Sequence, residues 1–185
     1  MSELGPLTGE PLALDLVNTR TASGDLLTTP EDLRAWLRLQ AGRISLPGEL
    51  TEADVAAVRR VREHVARALD RVRRGTGPPA DDLAALNRAQ RAAPAITELS
   101  WDGQAVTAAR RRVSGSAGER LAAWLAEAAA ELLADPAVAL VRECEADDCV
   151  MVFLPAHPRR RWCSAARCGN RVRVARHYRR HKPPA

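Results

Sequence analysis

Apolar residues recur at intervals of three and four along most of the chain, the spacing that puts them on one side of a helix. Between Pro11 and Arg20, the residues Leu12, Leu14, Leu16 and Val17 are interrupted by Asp15 and Asn18, which predicts a short helix. Thr29 opens a second: Pro30 suits the first helical position, Asp32 stands three residues after the Thr, and Leu33, Trp36 and Leu37 share a face. Thr51 and Asp54 repeat that start signal for a longer helix, in which Val55, Val58, Val61 or Arg62, Val65 and Leu69 line the apolar side and arginines the other. Gly75 and Pro78-Pro79 end it. Asp81 begins a further helix through Leu83, Leu86 and Arg88, and Ser116 with Glu119 forms a capping box for a helix over Ala117 to Ala134. Leu121, Trp124, Leu125, Leu132 and Leu133 of that last helix are expected to supply much of the core.

Three stretches break the helical period. Ala95 to Trp101 alternates, Asp102-Gly103 is a two-residue hairpin signal, and Gln104 to Val113 supplies the return strand. Val138 to Arg142 and Val150 to Leu154 predict two short strands, followed by a helix from about Ala165 to Arg180 with Ser164 as its cap. The expected fold is mainly α: an N-terminal helical domain with a small β-hairpin, then a ββα unit of treble-clef-like order.

Composition agrees. Of 185 residues 35 are alanine, Ile and Val together reach 16, and aromatics make up 3%, which favours helices over strands. The most apolar stretch, Leu121 to Ala134, carries Glu127 and Glu131 and is shorter than the roughly 20 residues a membrane helix needs. The opening Met1-Ser2-Glu3-Leu4-Gly5-Pro6 has neither the basic start nor the apolar run of a secretory signal, so a reducing cytoplasm is the expected location.

Charge divides the chain. Residues 1–141 hold 17 basic and 19 acidic side chains, whereas residues 142–185 hold 11 basic and 4 acidic, a net of +7. All the cysteines lie in the second part, and Asp135-Pro136 punctuates the chain just before it, so the expected domains are 1–135 and 136–185. The cysteines stand as Cys144-x4-Cys149 and Cys163-x4-Cys168, separated by enough chain for a hairpin. Two pairs of soft ligands on two short loops suit tetrahedral zinc better than free thiols or disulfides in a reducing compartment. Four thiolates also close the coordination shell, so the ion is structural rather than catalytic. A segment of about 45 residues with Val150, Val152, Phe153, Leu154, Trp162, Val172, Val174 and Tyr178 as large core candidates needs such a metal to fold. His157, His177 and His181 are spare beside a full cysteine set, and His64 reads as structural or exposed.

The segment Arg160-Arg161-Trp162-Cys163-Ser164, followed by Cys168-Gly169-Asn170-Arg171, resembles the CGNR zinc finger family, in which a Cys-x4-Cys pair precedes these same two motifs. The N-terminal part is similar to that family's usual companion, the ABATE domain of stress-induced transcription regulation. Leu14-Asp15-Leu16-Val17-Asn18-Thr19 matches its opening motif, and Asp25-Leu26-Leu27 with Leu33 and Trp36-Leu37 the next. The stretch from about 40 to 135 matches in general character. Family members commonly carry an aspartate and a serine between the hairpin aromatic and the Arg-Arg-Trp, and the shorter Phe153 to Arg159 segment here lacks both. The resemblance implies a finger that binds DNA.

From Phe153 onward there are ten basic residues and no acid. Arg159, Arg160, Arg167, Arg171, Arg173, Arg176 and Arg180 are the candidate phosphate contacts, with Arg173, Arg176 and Arg180 on one face of the final helix opposite Val172 and Ala175. Zinc with four thiolates carries −2, so Arg161, Arg167 or Arg171 could instead balance the metal, lowering the net +7 of the segment to +5. Gly169 permits close backbone approach, and Asn170 suits a hydrogen bond to main chain or sulfur. Asp15, Asn18 and Arg20 place polar groups among apolar neighbours, either lining a ligand pocket or, as is commoner for buried polar groups, pairing inside the protein.

The leading expectation is therefore a transcription regulator that docks duplex DNA through its zinc finger, while the helical domain senses a small-molecule effector or other signal, or mediates homodimerisation. The alternative is a zinc-stabilised adaptor for an acidic protein or RNA. No membrane partner is expected. Nor is an enzyme, for no nucleophile-base pair, open metal site or phosphate loop stands out.

Overall fold

The computed structural model describes residues 5–45 and 48–181, with side chains described as far as residue 177. Residues 1–4, Lys182 and the side chains of Tyr178, Arg180 and His181 lie outside the described residues.

Three capping boxes set the helical frame. In chain order the elements are α1 (Leu12–Val17), a small ribbon of β1 (Arg20–Thr21) and β2 (Gly24–Asp25), then α2 (Pro30–Leu39). Next come α3 (Glu52–Arg73), α4 (Ala80–Ala92), the hairpin β3 (Ile96–Trp101) and β4 (Val106–Arg111), and α5 (Ala117–Ala134). Thr29 with Asp32, Thr51 with Asp54 and Ser116 with Glu119 each form the reciprocal side-chain and backbone pair that satisfies otherwise orphaned N–H groups. At the other end of α3, Gly75 adopts a φ of +71°, and Thr76 N–H donates to the Arg71 carbonyl, a left-handed stop that a glycine tolerates best.

Helices α3, α4 and α5 pack on one another, and α1 lies against α3 and α5. The core they form with α2 includes Leu14, Leu16, Leu33, Val58, Val65 and Leu125, all without measurable exposure. Both Val61 and Arg62 are buried. Arg62 is tolerated because its two Nη atoms each reach an Asp25 oxygen at 2.6 Å, and one also donates to Thr19 Oγ1 at 3.0 Å. His64 bonds Asp82 through Nδ1 at 2.7 Å, joining α3 to α4.

Beyond α5, a single 3-10 turn (Pro136–Leu140) leads into β5 (Arg142–Glu143), which pairs antiparallel with β6 (Val152–Phe153). A wide turn of π geometry (Ala165–Gly169) then opens α6 (Asn170–His181). The strand expected over Val138 to Arg142 is mostly this 3-10 turn, because the Asp135 side chain accepts the Ala137 N–H and Pro136 starts a helical turn. The hairpin loop is also longer than two residues: Trp101 faces Val106, and Asp102 Oδ1 accepts both Gln104 and Ala105 N–H. The second core collects Met151, Phe153, the cysteines and Leu7, with Trp162 and Val172 partly buried against it. Val150 and Val174, expected in that core, are each 53% exposed. Among the described residues no helix is long and apolar enough to cross a membrane.

Candidate metal centre and nucleic-acid interface

Two short loops deliver the sulfurs. Cys144 N–H donates to the Met151 carbonyl at 2.9 Å, continuing the β5 to β6 ladder, and Cys149 N–H closes a turn on Ala146 at 2.9 Å. The second pair sits where Ser164 accepts the Arg167 N–H through its hydroxyl and the Cys168 N–H through its carbonyl, which winds Cys168 back over Cys163. Glu145 N–H donates to the Arg161 carbonyl at 3.0 Å and holds the loops together.

The four Sγ atoms lie within 4.8 Å of one another, and Cys144, Cys163 and Cys168 are buried. Sulfurs at the corners of a zinc tetrahedron with Zn–S near 2.3 Å stand about 3.8 Å apart. Cys149 Sγ lies 3.9 Å and Cys168 Sγ 3.6 Å from Cys163 Sγ, close to that edge and far too long for a disulfide. Donor chemistry and spacing both fit one structural zinc ion, held by Cys144, Cys149, Cys163 and Cys168. Crowding polarises the bare thiols: the hydrogen bond with Cys163 pulls Cys149 down to about 5, while the same contact pushes Cys163 up. A zinc ion resolves that conflict by favouring thiolate at every corner.

The surroundings already supply partners for those thiolates. Cys163 N–H reaches Cys144 Sγ at 3.3 Å, and Arg171 Nη2 reaches Cys168 Sγ at 3.6 Å. Arg171 also pairs with Asp148, and both contacts strengthen its hold on its proton. Gly169 lies under the Trp162 ring, where a Cβ would meet Cε3 at 3.4 Å. Asn170 Oδ1 accepts from Arg173 at 2.5 Å rather than reaching sulfur.

The arginines fall into different roles. Arg160 is inside the fold: one Nη2 meets Glu10 Oε1 at 2.6 Å and the Cys163 carbonyl, and its guanidinium lies 4.3 Å from the Phe153 ring centroid. Arg161 pairs with Glu145 at 2.6 Å, and Arg167 donates to the Gly5 carbonyl. Arg159, Arg173 and Arg176 carry exposed side chains with no ion pair among the described residues. Residues 173–177 of α6 are all exposed, including Val174 and Ala175, so the helix projects from the finger instead of laying one apolar face on it. Its first turn packs on the turn that precedes it, sets Val172 against the second core and pairs Arg171 with Asp148. The apolar side expected of this helix is covered at Val172 and uncovered past it, where residues 173–177 form a cationic rod.

Asp15, Asn18 and Arg20 do not converge. Asp15 is fully buried and accepts from Gly9 and Glu10 N–H at 3.0 Å each and from Arg43 at 2.7 Å. Asn18 exchanges hydrogen bonds with Val152, and Arg20 pairs with Glu63 at the surface at 2.9 Å. The internal network takes up the first two, and Arg20 is engaged at the surface. Sequence reasoning missed Glu10, whose carboxylate takes both Arg160 and the Leu154 N–H at 2.9 Å; an isolated acid before a proline gives no pattern to find it by.

Two family models match. The ABATE model, described as a putative stress-induced transcription regulator, covers residues 10–136. The CGNR zinc finger model covers residues 141–181. Among curated proteins no relative matches the chain. The capped helical bundle fills the first match and the four-cysteine centre the second, and the chain accordingly belongs to the ABATE family, with a CGNR zinc finger at its C-terminal end.

Proposed function

We propose that this protein is a DNA-binding transcription regulator without enzymatic activity, in which the zinc finger docks on duplex DNA and the helical part senses a signal or ligand. The observation that carries the reading is α6: a helix exposed over residues 173–177, free of acidic residues and bearing Arg173 and Arg176. A rod of helical diameter fits the major groove, and its guanidinium groups suit phosphate oxygens and guanine edges. Zinc acts indirectly, since it fixes the turn from which α6 leaves. Arg160 and Arg171 hold the finger together and are withdrawn from the candidate contacts, which leaves Arg159, Arg167, Arg173 and Arg176, with Arg180 continuing the helix.

The test is Arg173→Glu combined with Arg176→Glu, assayed by anisotropy of a labelled mixed-sequence duplex. The reading expects weakened binding with zinc content unchanged, and a salt slope smaller by about two. Unchanged affinity removes α6 as the docking element and favours the adaptor reading.

A further inference from the structure

A cleft of about 1020 Å³ opens between α5 and β4 on one side and Pro11, Leu12 and Leu154 on the other. That volume is ample for a small organic molecule. The α5 residues that face it, among them Ala117, Arg120, Leu121, Trp124 and Ala128, follow helical spacing, so one stripe of the helix forms the wall.

Its polar groups are unevenly committed. Glu127 is claimed twice, by Arg112 and by Arg110 at 3.6 Å. Arg112 is further fixed by the Ala93 carbonyl and by the Trp124 ring, 5.9 Å from its guanidinium carbon. Arg43 turns toward buried Asp15. Arg120 is different: it donates to the Gly115 carbonyl at 2.5 Å and has no carboxylate partner among the described residues. The acids Glu131 and Asp135 lie at the opposite end of the stripe, about 16 Å from Arg120 along the helix axis for Glu131. Asp135 is already engaged by the Ala137 N–H. The Arg120 end thus carries uncompensated positive charge beside the apolar surface of Leu121 and Trp124.

We propose that this cleft binds a small amphipathic organic anion, with its carboxylate at Arg120 and a flat apolar body over Leu121 and Trp124. This deepens the sensing role proposed above and rests on it for its regulatory meaning. Leu154 lines the cleft while its N–H donates to Glu10, and Glu10 also holds Arg160 of the finger. A ligand therefore touches Leu154 of the finger, beside the Glu10–Arg160 link between the two family-matched regions.

The test is calorimetry on the zinc-loaded full chain with 2-naphthoate and with the neutral 2-naphthylmethanol. The site predicts one naphthoate per chain, with the alcohol about tenfold weaker, the value of one charge-assisted hydrogen bond. Arg120→Gln should lower naphthoate affinity about as much and leave the alcohol unchanged. Ala109→Glu, an exposed substitution on the β4 wall, should weaken naphthoate alone and guards against misfolding of the first variant. Equal affinity for the two probes, no naphthoate binding, or both variants binding naphthoate like the parent chain would overturn the proposal. Calorimetry needs no DNA, so loss of the regulator reading leaves a positive result standing, and naphthoate that binds without changing duplex affinity rejects the sensor role while retaining the site.

Discussion

Asn18 and Val152, 134 residues apart, exchange two hydrogen bonds: Val152 N–H donates to Asn18 Oδ1 at 2.9 Å, and Asn18 Nδ2 donates to the Val152 carbonyl at 2.8 Å. The amide side chain thereby acts as a one-residue strand on the outer edge of β6. It satisfies backbone groups that a two-stranded ribbon would leave open, and it fixes the finger against α1.

Asn18→Ala should therefore loosen the junction without emptying the zinc site. Loss of two partly buried hydrogen bonds costs about 2 kcal/mol. Hydrogen exchange at the Val152 amide should accelerate while exchange in the middle of α3 stays slow. Equal acceleration at both places would show that the two regions unfold as one.

Local signals made most of the bundle legible. Thr29, Thr51 and Ser116 each announce a helix through a residue three positions on, and each forms the expected box. The cysteine pairs likewise specify their own chemistry by type and spacing. What escaped were features decided by distant partners. Arg62 is buried because Asp25 meets it, and Glu10 matters because Arg160 and Leu154 approach it. The exposure of α6 was hidden as well, since Val172, Val174 and Ala175 suggest one apolar side, of which the tertiary structure covers Val172 and leaves Val174 and Ala175 exposed.

Zinc removal tests the metal centre. Cys163→Ser, or chelation of the parent chain, should release the ion and melt the core around Met151 and Phe153 while α3 to α5 keep their circular dichroism signal. Loss of helical signal across the whole chain would mean that the helical bundle does not stand without the finger.

The Arg62 and Asp25 pair sets an acid sensitivity. Burial raises the Asp25 carboxyl, but hydrogen bonds from Arg62 and the Leu27 N–H outweigh it and hold the group below its ordinary value. Asp82 is lowered chiefly by Arg67, with His64 adding to it. A lowered carboxyl contributes stability that is present above about pH 4 and lost as pH falls through the folded value. Urea unfolding midpoints should fall on acidification in that range, and Asp82→Asn should flatten the fall. Asp25→Ala should cost about 3 kcal/mol at neutral pH, because it removes the two short bonds of a buried guanidinium and leaves it the longer Glu63 pair at 3.2 Å and Thr19.

Close helix contact makes a glycine test. Gly118 N–H donates to Asp54 Oδ1 at 2.6 Å, and a Cβ there would meet that oxygen at 2.5 Å and the Asp54 Cα at 2.8 Å. Gly118→Ala should force α3 and α5 apart at a cost of about 1 to 3 kcal/mol, visible as a lower thermal midpoint. An unchanged midpoint would show that this contact yields freely.

The central claim is that zinc presents α6 to DNA. Its most direct test is anisotropy of a labelled mixed-sequence duplex titrated with the zinc-loaded chain across roughly 50 to 200 mM salt, then repeated after chelation. The account predicts affinity that falls steeply with salt and disappears with the metal. Binding that survives chelation, or no binding by the zinc-loaded chain at the lowest salt, would contradict it.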